Sequence, residues 1–503
     1  MELCETVMTS TLAALRAGRD AASAPERGGR IGLVELRLDG LAPGELDVAG
    51  ALEGRRLSVV VTCRAAWEGG QFAGTEEERL RVLHEAARLG AEFVDIEMDV
   101  EARTPGTVAA LAASHGGTTR LVLSHHRFTP GVPRDLADRL RVMRATAEAL
   151  QQGSVVKMAI MAERPRDCAT LRRVMYADGM VPDSIAIAMG PAGVLTRLLP
   201  AKFCSAWTYA GSAAPGQLSV DDLLTRYHVS EATSATRVFG IAGLPLGHSA
   251  SPAMHRAAFA AAGIDAVYVP VETADAGELL DLAEALEFEG LSITAPLKSS
   301  VVGRVHVHVD DEAQAIGAIN TLRRRAQGGW DCRNFDAPSF RAPLVDMLIA
   351  AGLTLDGRRA LVLGAGGAAR AAARELMALG ARVEIAARDQ AKGAALADAL
   401  GAHVSVWPPE GAAAVIVNAT PVGTSPNASV SPIPAGAVQA DVAYDLVYNP
   451  EDTQFLHDAR AAGARTVGGL DMLVAQAGRQ FEWWTGARVE PDVFRRAAQG
   501  FIR

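Results

Sequence analysis

Short runs rich in Val, Ile and Leu alternate with Ala-, Leu- and Arg-rich helical stretches over the first 228 residues, and this rhythm constrains the fold more than any other feature. Strand–helix–strand repeats make successive strands parallel, because each helix returns the chain over the sheet to start the next strand in the same direction. The predicted strands are Glu2–Val7, Ile31–Leu38, Leu57–Cys63, Glu92–Glu97, Thr119–Ser124, Ser154–Ile160, Asp183–Ala188 and Phe203–Thr208. This is the number of strands that a closed (β/α)8 barrel needs, in about its shortest length. At 503 residues the chain is too long for one core, since a domain spans roughly 100–250 residues. The segment HVSEATSATR is polar, small and without apolar periodicity, so the predicted division is a barrel over 1–228 and a linker over 229–237.

The second half opens on a new strand, VFGIAGLPL. Later, ALVLGAGGAARAAARELMALG reads as strand, glycine loop and helix, with a second strand at Arg382–Ala387. That context marks a Rossmann dinucleotide-binding unit: glycines let the backbone approach a pyrophosphate, and the helix N-terminus favours its charge. Gly364, Ala365, Gly366, Gly367 and Ala368 are the candidate cradle. The expected arrangement is α/β throughout, with a substrate lobe at 238–338 completed by C-terminal helices at about 470–503, and the dinucleotide lobe at 339–469. Arg388 stands at the end of the second strand with Lys392 a turn away. Cations there suit the 2′-phosphate of NADP, although Asp389 between them argues the other way.

Composition narrows the function. Apolar residues are 49% and charged residues 21%, and the formal net charge is −9 without Lys/Arg runs. A nucleic-acid partner needs a basic face, so small-molecule substrates are expected instead. Cys4, Cys63, Cys168, Cys204 and Cys332 are widely spaced and form no CxxC pair. They read as reduced thiols, with neither a disulfide framework nor a metal site expected. The start MELCETVMTS lacks a basic and then apolar leader pattern, and no run approaches the roughly 20 apolar residues of a membrane span, so cytoplasm is the expected location and no membrane partner is expected.

In a barrel, chemistry sits where strands end. Lys157, inside the apolar strand VVKMAIM, is the sharpest candidate, because a lysine in a low-dielectric pocket is pushed toward the neutral amine that can form a Schiff base. A strand-end lysine reaching solvent is the plainer alternative. His126 suits a general acid/base. Arg37, Arg64 and Arg197 either clamp a substrate carboxylate or make structural ion pairs. In the second half, Lys298 and Asp336 form a candidate proton-donating pair for ketone reduction, or else a structural salt bridge.

These residues sit in ordered motifs. In the first half they are E-x-R-x-D (Glu35, Arg37, Asp39), R-x-x-x-E-G-G (Arg64, Glu68), S-x-H-x-F (Ser124, His126, Phe128), Lys157, the T-R-L arginine (Arg197), and S-A-W-T-Y followed by A-P-G-Q (Ser205, Gln217). The segment resembles the type I 3-dehydroquinate dehydratases. The resemblance implies an iminium on Lys157, proton transfer by His126, and a carboxylate site of Arg197, Ser205 and Gln217. It also implies that Glu35, Arg37, Arg64 and Glu68 order the ring hydroxyls and the catalytic pair. Arg127 stands where the family often has an acidic residue or asparagine, a change expected to alter the pKa of His126.

Residues 237–503 resemble the shikimate dehydrogenases through S-x-S-P, T-x-P-x-K, G-A-x-N-T, N-x-D, G-A-G-G-A-x-R, N-A-T-P-x-G (Asn418, Thr420), D-L-V-Y-N-P and M-L-V-x-Q. The resemblance implies that Ser249 and Ser251 hold a carboxylate, that Thr294, Lys298, Asn320, Asp336 and Gln476 contact ring hydroxyls and the reacting oxygen, and that Tyr448 closes the pocket. Gly469 joins Asn418 and Thr420 as a candidate on the cofactor side. Three positions depart from the commonest pattern, Ser292, Phe335 and Asp471, and all three are expected beside the pocket. Together the two resemblances imply a bifunctional enzyme that dehydrates 3-dehydroquinate and reduces the product with NADPH, in the domain order of plant fusions. A sensor that binds such intermediates without turnover would be expected to lack the chemical residues, and all four are present. Quinate as the second half's substrate stays open.

Overall fold

The computed structural model describes residues 2–502 except 25, 26, 28, 115–117, 151, 152, 178–182, 248 and 305, so that the terminal residues 1 and 503 of the predicted domains lie outside it. The chain divides into two compact units, residues 1–236 with 278–287, and residues 237–277 with 288–503. Residues 229–236 pack onto the first unit, where Val229, Ala232 and Thr236 are buried. Their small side chains fit against a surface as readily as they suit a linker.

Eight parallel strands form the first unit: β1 (Glu2–Val7), β2 (Leu33–Arg37), β3 (Ser58–Thr62), β4 (Phe93–Glu97), β5 (Arg120–Pro130), β6 (Val155–Met161), β7 (Ser184–Met189) and β8 (Trp207–Ala210). Their order is β7-β6-β5-β4-β3-β2-β1-β8, and a bridge between Ser184 and Ser205 brings the two ends together. The β-branched run Ser-Val-Val-Val-Thr of β3 shows the local cause, since such side chains suit an extended, crowded strand. Cys4, Leu33, Val60, Phe93, Val122, Val155, Ile185 and Trp207 fill the interior from successive strands, so the barrel is a packed core. The last strand begins later than predicted. Pro200 opens a 3-10 turn through Phe203, and Cys204 takes a left-handed conformation at φ 54°.

The second unit holds two six-stranded sheets. One joins β9 (Arg237–Gly243), β10 (Ala266–Glu272), β11 (Phe288–Ile293), β12 (Val307–Val309), β13 (Thr321–Arg324) and β14 (Trp330–Arg333) in the order β10-β9-β11-β13-β14-β12. The other comprises β15 (Arg359–Leu363), β16 (Arg382–Ala386), β17 (His403–Ser405), β18 (Ala413–Asn418), β19 (Ala440–Asp445) and β20 (Arg465–Val467), all parallel, ordered β17-β16-β15-β18-β19-β20. Counted within that sheet the order is 3-2-1-4-5-6, the doubly wound dinucleotide-binding arrangement. β15 from Ala360 to Leu363 and β18 from Ala413 to Val417 are apolar and buried, as strands covered on both faces should be. The C-terminal helices Gly469–Thr485 and Pro491–Phe501 return to the first sheet, where Phe481 packs 5.2 Å from Phe259 and 6.0 Å from Phe494.

Candidate active sites

Inside the barrel, strand alternation points Glu35, Asp95, Ser124 and Lys157 inward from β2, β4, β5 and β6. The environment of Lys157 differs from the apolar pocket expected. Its Nζ lies 3.0 Å from Asp95 Oδ2 and 3.7 Å from Glu35 Oε1, over the Tyr209 ring at 4.4 Å. The cation is fully enclosed but paired. Glu35 is held in turn by the hydroxyls of Thr6 at 2.8 Å and Thr62 at 2.9 Å.

Arg64 organises the acidic side of this cluster. It reaches Asp95 at 2.9 Å, Glu97 at 3.0 Å and Ser124 Oγ at 2.7 Å, while Ser124 donates to Asp95 Oδ1 at 2.6 Å. The Arg64 and Lys157 charges overcome burial and hold Asp95 well below the usual carboxylate range. Asp95 and Glu97 are site residues that the motif reading passed over. A signal was available, since Val-Asp-Ile-Glu alternates acidic and apolar residues and so aims both carboxylates into the barrel.

Glu68 Oε2 accepts both the backbone N–H of His126, at 3.0 Å, and its Nδ1, at 2.9 Å. Burial opposes charge on Glu68, yet its two histidine neighbours bring it down to about 2. Burial, with the Arg64 charge second, pushes His126 down to about 4. An ionised Glu68 therefore fixes the proton on Nδ1 of a neutral imidazole and leaves Nε2 as a base. Arg127 is exposed, and the positive charges that act most on His126 are Arg64 and Lys157.

The three candidate clamps separate clearly. Arg37 is bidentate with Asp39, at 2.9 and 2.8 Å, and Arg64 is committed to Asp95 and Glu97. Only Arg197 lacks a carboxylate within ion-pair distance among the described residues. Its partners are the carbonyls of Tyr209 and Pro215, both at 3.4 Å, and its Nε has none. Burial pulls this guanidinium down to about 10, and the Glu35 charge offsets only part of that. Gln217 Nε2 reaches Thr6 Oγ at 3.3 Å, beside Glu35. Ser205 does not join them. It precedes β8 at the N-terminal end of the barrel, where its Oγ accepts the Ala186 N–H at 3.0 Å. The later start of β8 put it at the wrong end.

In the second unit, Asp336 begins the helix Asp336–Ala351, whose N-terminal dipole favours a carboxylate. It pairs with Lys298 Nζ and accepts from Asn320 Nδ2 at 2.8 Å. Asn320 is oriented because its Oδ1 takes the Thr321 hydroxyl at 2.7 Å and the Phe335 N–H at 2.8 Å. A second polar group gathers Ser249, whose Oγ accepts the Ser251 N–H at 3.3 Å, and Tyr448, whose hydroxyl lies 3.5 Å from the Ala250 nitrogen. Thr294 is half-buried in the loop after β11, and Gln476 is buried on the helix Gly469–Thr485. Of the three departures, Ser292 accepts from Tyr268 at 2.7 Å and donates to Gln480 at 2.8 Å, and Phe335 packs on Trp483. Asp471 faces outward to Arg495, at 2.6 Å, rather than lying beside the pocket.

Gly364, at φ 113°, makes the turn after β15 that L side chains avoid. Gly366 and Gly367 start the following helix, and a Cβ on Gly367 would meet Lys298 Cδ at 3.0 Å. The glycine loop thus abuts the Lys298–Asp336 pair. Ala365, in the same loop, and Ala368, in the first turn of the helix Gly367–Ala378, are both half-buried. Arg388 is exposed, with no carboxylate within ion-pair distance among the described residues. Asp389 is already occupied: it caps the helix Gln390–Leu400 through the Lys392 N–H and pairs with Lys392 Nζ at 3.2 Å. Two other cofactor candidates make structural contacts of their own. Asn418 is wholly buried and bonded to Asp445, Val422 and Thr420, which shape the turn after β18. Gly469 is needed for packing, since a Cβ there would sit 2.6 Å from the Val447 carbonyl.

A barrel with an enclosed lysine among carboxylates, joined to a two-lobed unit with a dinucleotide-type sheet, defines a two-part lyase and oxidoreductase. Type I 3-dehydroquinase matches residues 4–234, shikimate dehydrogenase substrate binding domain matches 241–322, and shikimate 5'-dehydrogenase C-terminal domain matches 469–499. The chain is 32% identical over 490 residues, covering 92% of it and 79% of its relative, to a bifunctional 3-dehydroquinate dehydratase/shikimate dehydrogenase, chloroplastic, of Arabidopsis thaliana. It is 43% identical over 267 residues to a shikimate dehydrogenase (NADP(+)) of Anaeromyxobacter dehalogenans, covering 50% of this chain and 92% of that one. A solved shikimate 5-dehydrogenase of Thermus thermophilus, in complex with NADP(H) and shikimate, is 36% identical with a TM-score of 0.45, covering 53% of this chain and all of that one. The chain belongs to the family of bifunctional 3-dehydroquinate dehydratase/shikimate dehydrogenases. Among the described residues no helix is long and apolar enough to cross a membrane.

Proposed function

We propose that the barrel, over 1–228, dehydrates 3-dehydroquinate through a Schiff base on Lys157, and that the second unit reduces the resulting 3-dehydroshikimate with NADPH. The observation that carries the first half is Lys157 held between Asp95 and Glu35 beside a neutral His126. An iminium bears the same charge as the ammonium it replaces, so the carboxylates that hold one also hold the other. Condensation of the lysine amine with the ring ketone releases water. The iminium then draws electrons from the adjacent C–H bond, whose proton passes to His126 Nε2. That proton leaves with the departing ring hydroxyl as a second water, and hydrolysis of the iminium restores Lys157.

Arg197 is the reading's carboxylate anchor, because it is a buried cation without an anionic partner. Replacing it with methionine is expected to raise KM for 3-dehydroquinate roughly 100-fold, the worth of a charge-assisted bidentate contact. Steady-state kinetics of the dehydration check this, and a KM within threefold of wild type would remove the anchor role.

On the second unit, bound NADPH supplies hydride. The chain's residues position the ketone and deliver the proton: Lys298 donates to the developing alkoxide, Asp336 and Asn320 hold Lys298 in place, and Ser249, Ser251 and Tyr448 receive the carboxylate. The glycine cradle fits a pyrophosphate, and Arg388, without a carboxylate partner among the described residues, offers a cation where a 2′-phosphate would lie. Arg388→Ala is expected to raise KM for NADPH by about tenfold and leave KM for NADH unchanged, loss of one exposed phosphate contact being worth about 1–1.5 kcal/mol. Equal effects on both cofactors would refute the assignment. The five unpaired cysteines suit a reducing compartment such as the cytoplasm.

The test of the whole reading is a coupled assay with 3-dehydroquinate and NADPH. Oxidation of NADPH that depends on both Lys157 and Lys298 is expected, and 3-dehydroshikimate should rescue the Lys157 variant. Binding of both compounds without any turnover would instead mark a sensor.

A further inference from the structure

The catalytic histidine has a neighbour that the mechanism leaves unused. His125 precedes His126 on β5, so strand alternation turns it away from the barrel interior. Its Nδ1 is buried, has no hydrogen-bond partner among the described residues, and lies 3.5 Å from Asp99 Oδ2 and 3.7 Å from Glu68 Oε1. Glu68 Oε1 is likewise buried and unpartnered, since its other oxygen takes both contacts from His126. The three atoms lie within 4.8 Å of one another and come from separate segments: the turn Ala66–Glu68, the start of the helix Val100–Arg103, and β5.

Such separations are too long for hydrogen bonds. The 3.5 and 3.7 Å separations from His125 Nδ1 come close to the roughly 3.3–3.5 Å that tetrahedral zinc, with bonds of about 2.0–2.1 Å, sets between its ligands, and Glu68 Oε1 and Asp99 Oδ2 lie within 4.8 Å of each other, near enough to close on a shared ion. We propose that Glu68 Oε1, Asp99 Oδ2 and His125 Nδ1 form a three-ligand site for a divalent cation of the zinc class, with water completing the tetrahedron. Imidazole and carboxylate together suit that class better than calcium or magnesium, which favour oxygen alone. The half-exposed Asp99 provides access, and Arg139, paired with its other oxygen, holds it in place. Cysteine spacing gave no hint of the site, because none of its ligands is a thiolate.

The site shares Glu68 with His126, so occupancy would tie up the carboxylate that orients the base. Zinc would then slow dehydration and spare reduction. This coupling rests on the proposed Schiff-base function of the barrel, whereas the binding site does not.

The test is zinc binding to the full-length protein after chelator treatment, by calorimetry with Zn2+ alone, compared with His125→Phe and Asp99→Asn. One equivalent is expected to bind to wild type and to be lost, with affinity at least 30-fold weaker, in both variants. Two substitutions on different segments guard against a local folding defect in either, and retained dehydration of 3-dehydroquinate by the metal-free variants reports that the barrel of each is intact. Dehydration by wild type should fall in step with occupancy while the variants resist. Equal stoichiometry and affinity in all three proteins would overturn the site. If zinc binds as expected but the metal-free protein dehydrates nothing, the functional reading of the barrel fails and the site stands.

Discussion

Lys157→Met is expected to lower dehydration of 3-dehydroquinate by a factor on the order of 10^4 or more, while reduction of 3-dehydroshikimate by the same protein proceeds at the wild-type rate. The size follows from the role, since among the described residues no other lysine lies inside the barrel, and loss of a covalent nucleophile removes the route itself. Methionine keeps the volume and apolar stem of lysine but strands the two carboxylates. Breaking a buried pair costs roughly 3–5 kcal/mol. Here the cost should be smaller, because Arg64 still neutralises Asp95 and two threonine hydroxyls still satisfy Glu35. A fall in Tm without loss of the dehydrogenase rate is therefore the expected stability signature. Borohydride added during turnover should trap a covalent substrate adduct on wild type and none on the variant, read by intact-protein mass. An adduct on the variant would mean that another residue carries the chemistry.

Asp336→Asn should have the second largest effect, a loss of 10²- to 10⁴-fold, the usual range for general acid catalysis, in kcat for reduction of 3-dehydroshikimate. Asparagine preserves shape but removes the charge that pairs with Lys298 Nζ and receives Asn320 Nδ2. Lys298→Ala should lose at least as much, because the proton donor itself is gone. Dehydration should be unchanged in both, and KM for NADPH should move little in Asp336→Asn, because the glycine loop meets the lysine stem rather than the aspartate. Steady-state kinetics with each substrate separate these effects. Equal loss of both activities would point to misfolding rather than chemistry.

Particular residues show what kind of information each level carries. Lys157 was legible because a charge inside an apolar strand is anomalous, and the glycine loop because strand, glycines and helix are local neighbours. Asp95 and Glu97 were legible in principle through their period of two. Ser205 was misplaced because Pro200 and Cys204 turn the chain before β8, a shift of a few residues that exchanges one end of a barrel for the other. Asn418 and Gly469 share motifs with cofactor-side residues, and hydrogen bonding and close packing give them a structural role that the motifs did not reveal.

The chain's own periodicity and residue types determined the α/β class, the barrel, the dinucleotide unit and the chemical repertoire of lysines, histidine and arginines. These depend on neighbours within a few residues, where backbone geometry dictates which side chains share a face. Only the tertiary structure decided which charges pair: Arg64 with Glu97 from 33 positions away, Lys157 with Asp95 from 62. It also decided that Arg197 alone, of three similar arginines, is left without an anion, and that His125 faces Asp99 and Glu68. Electrostatic partnership depends on distance in space, and chain separation carries almost no record of that distance until the sheet has closed.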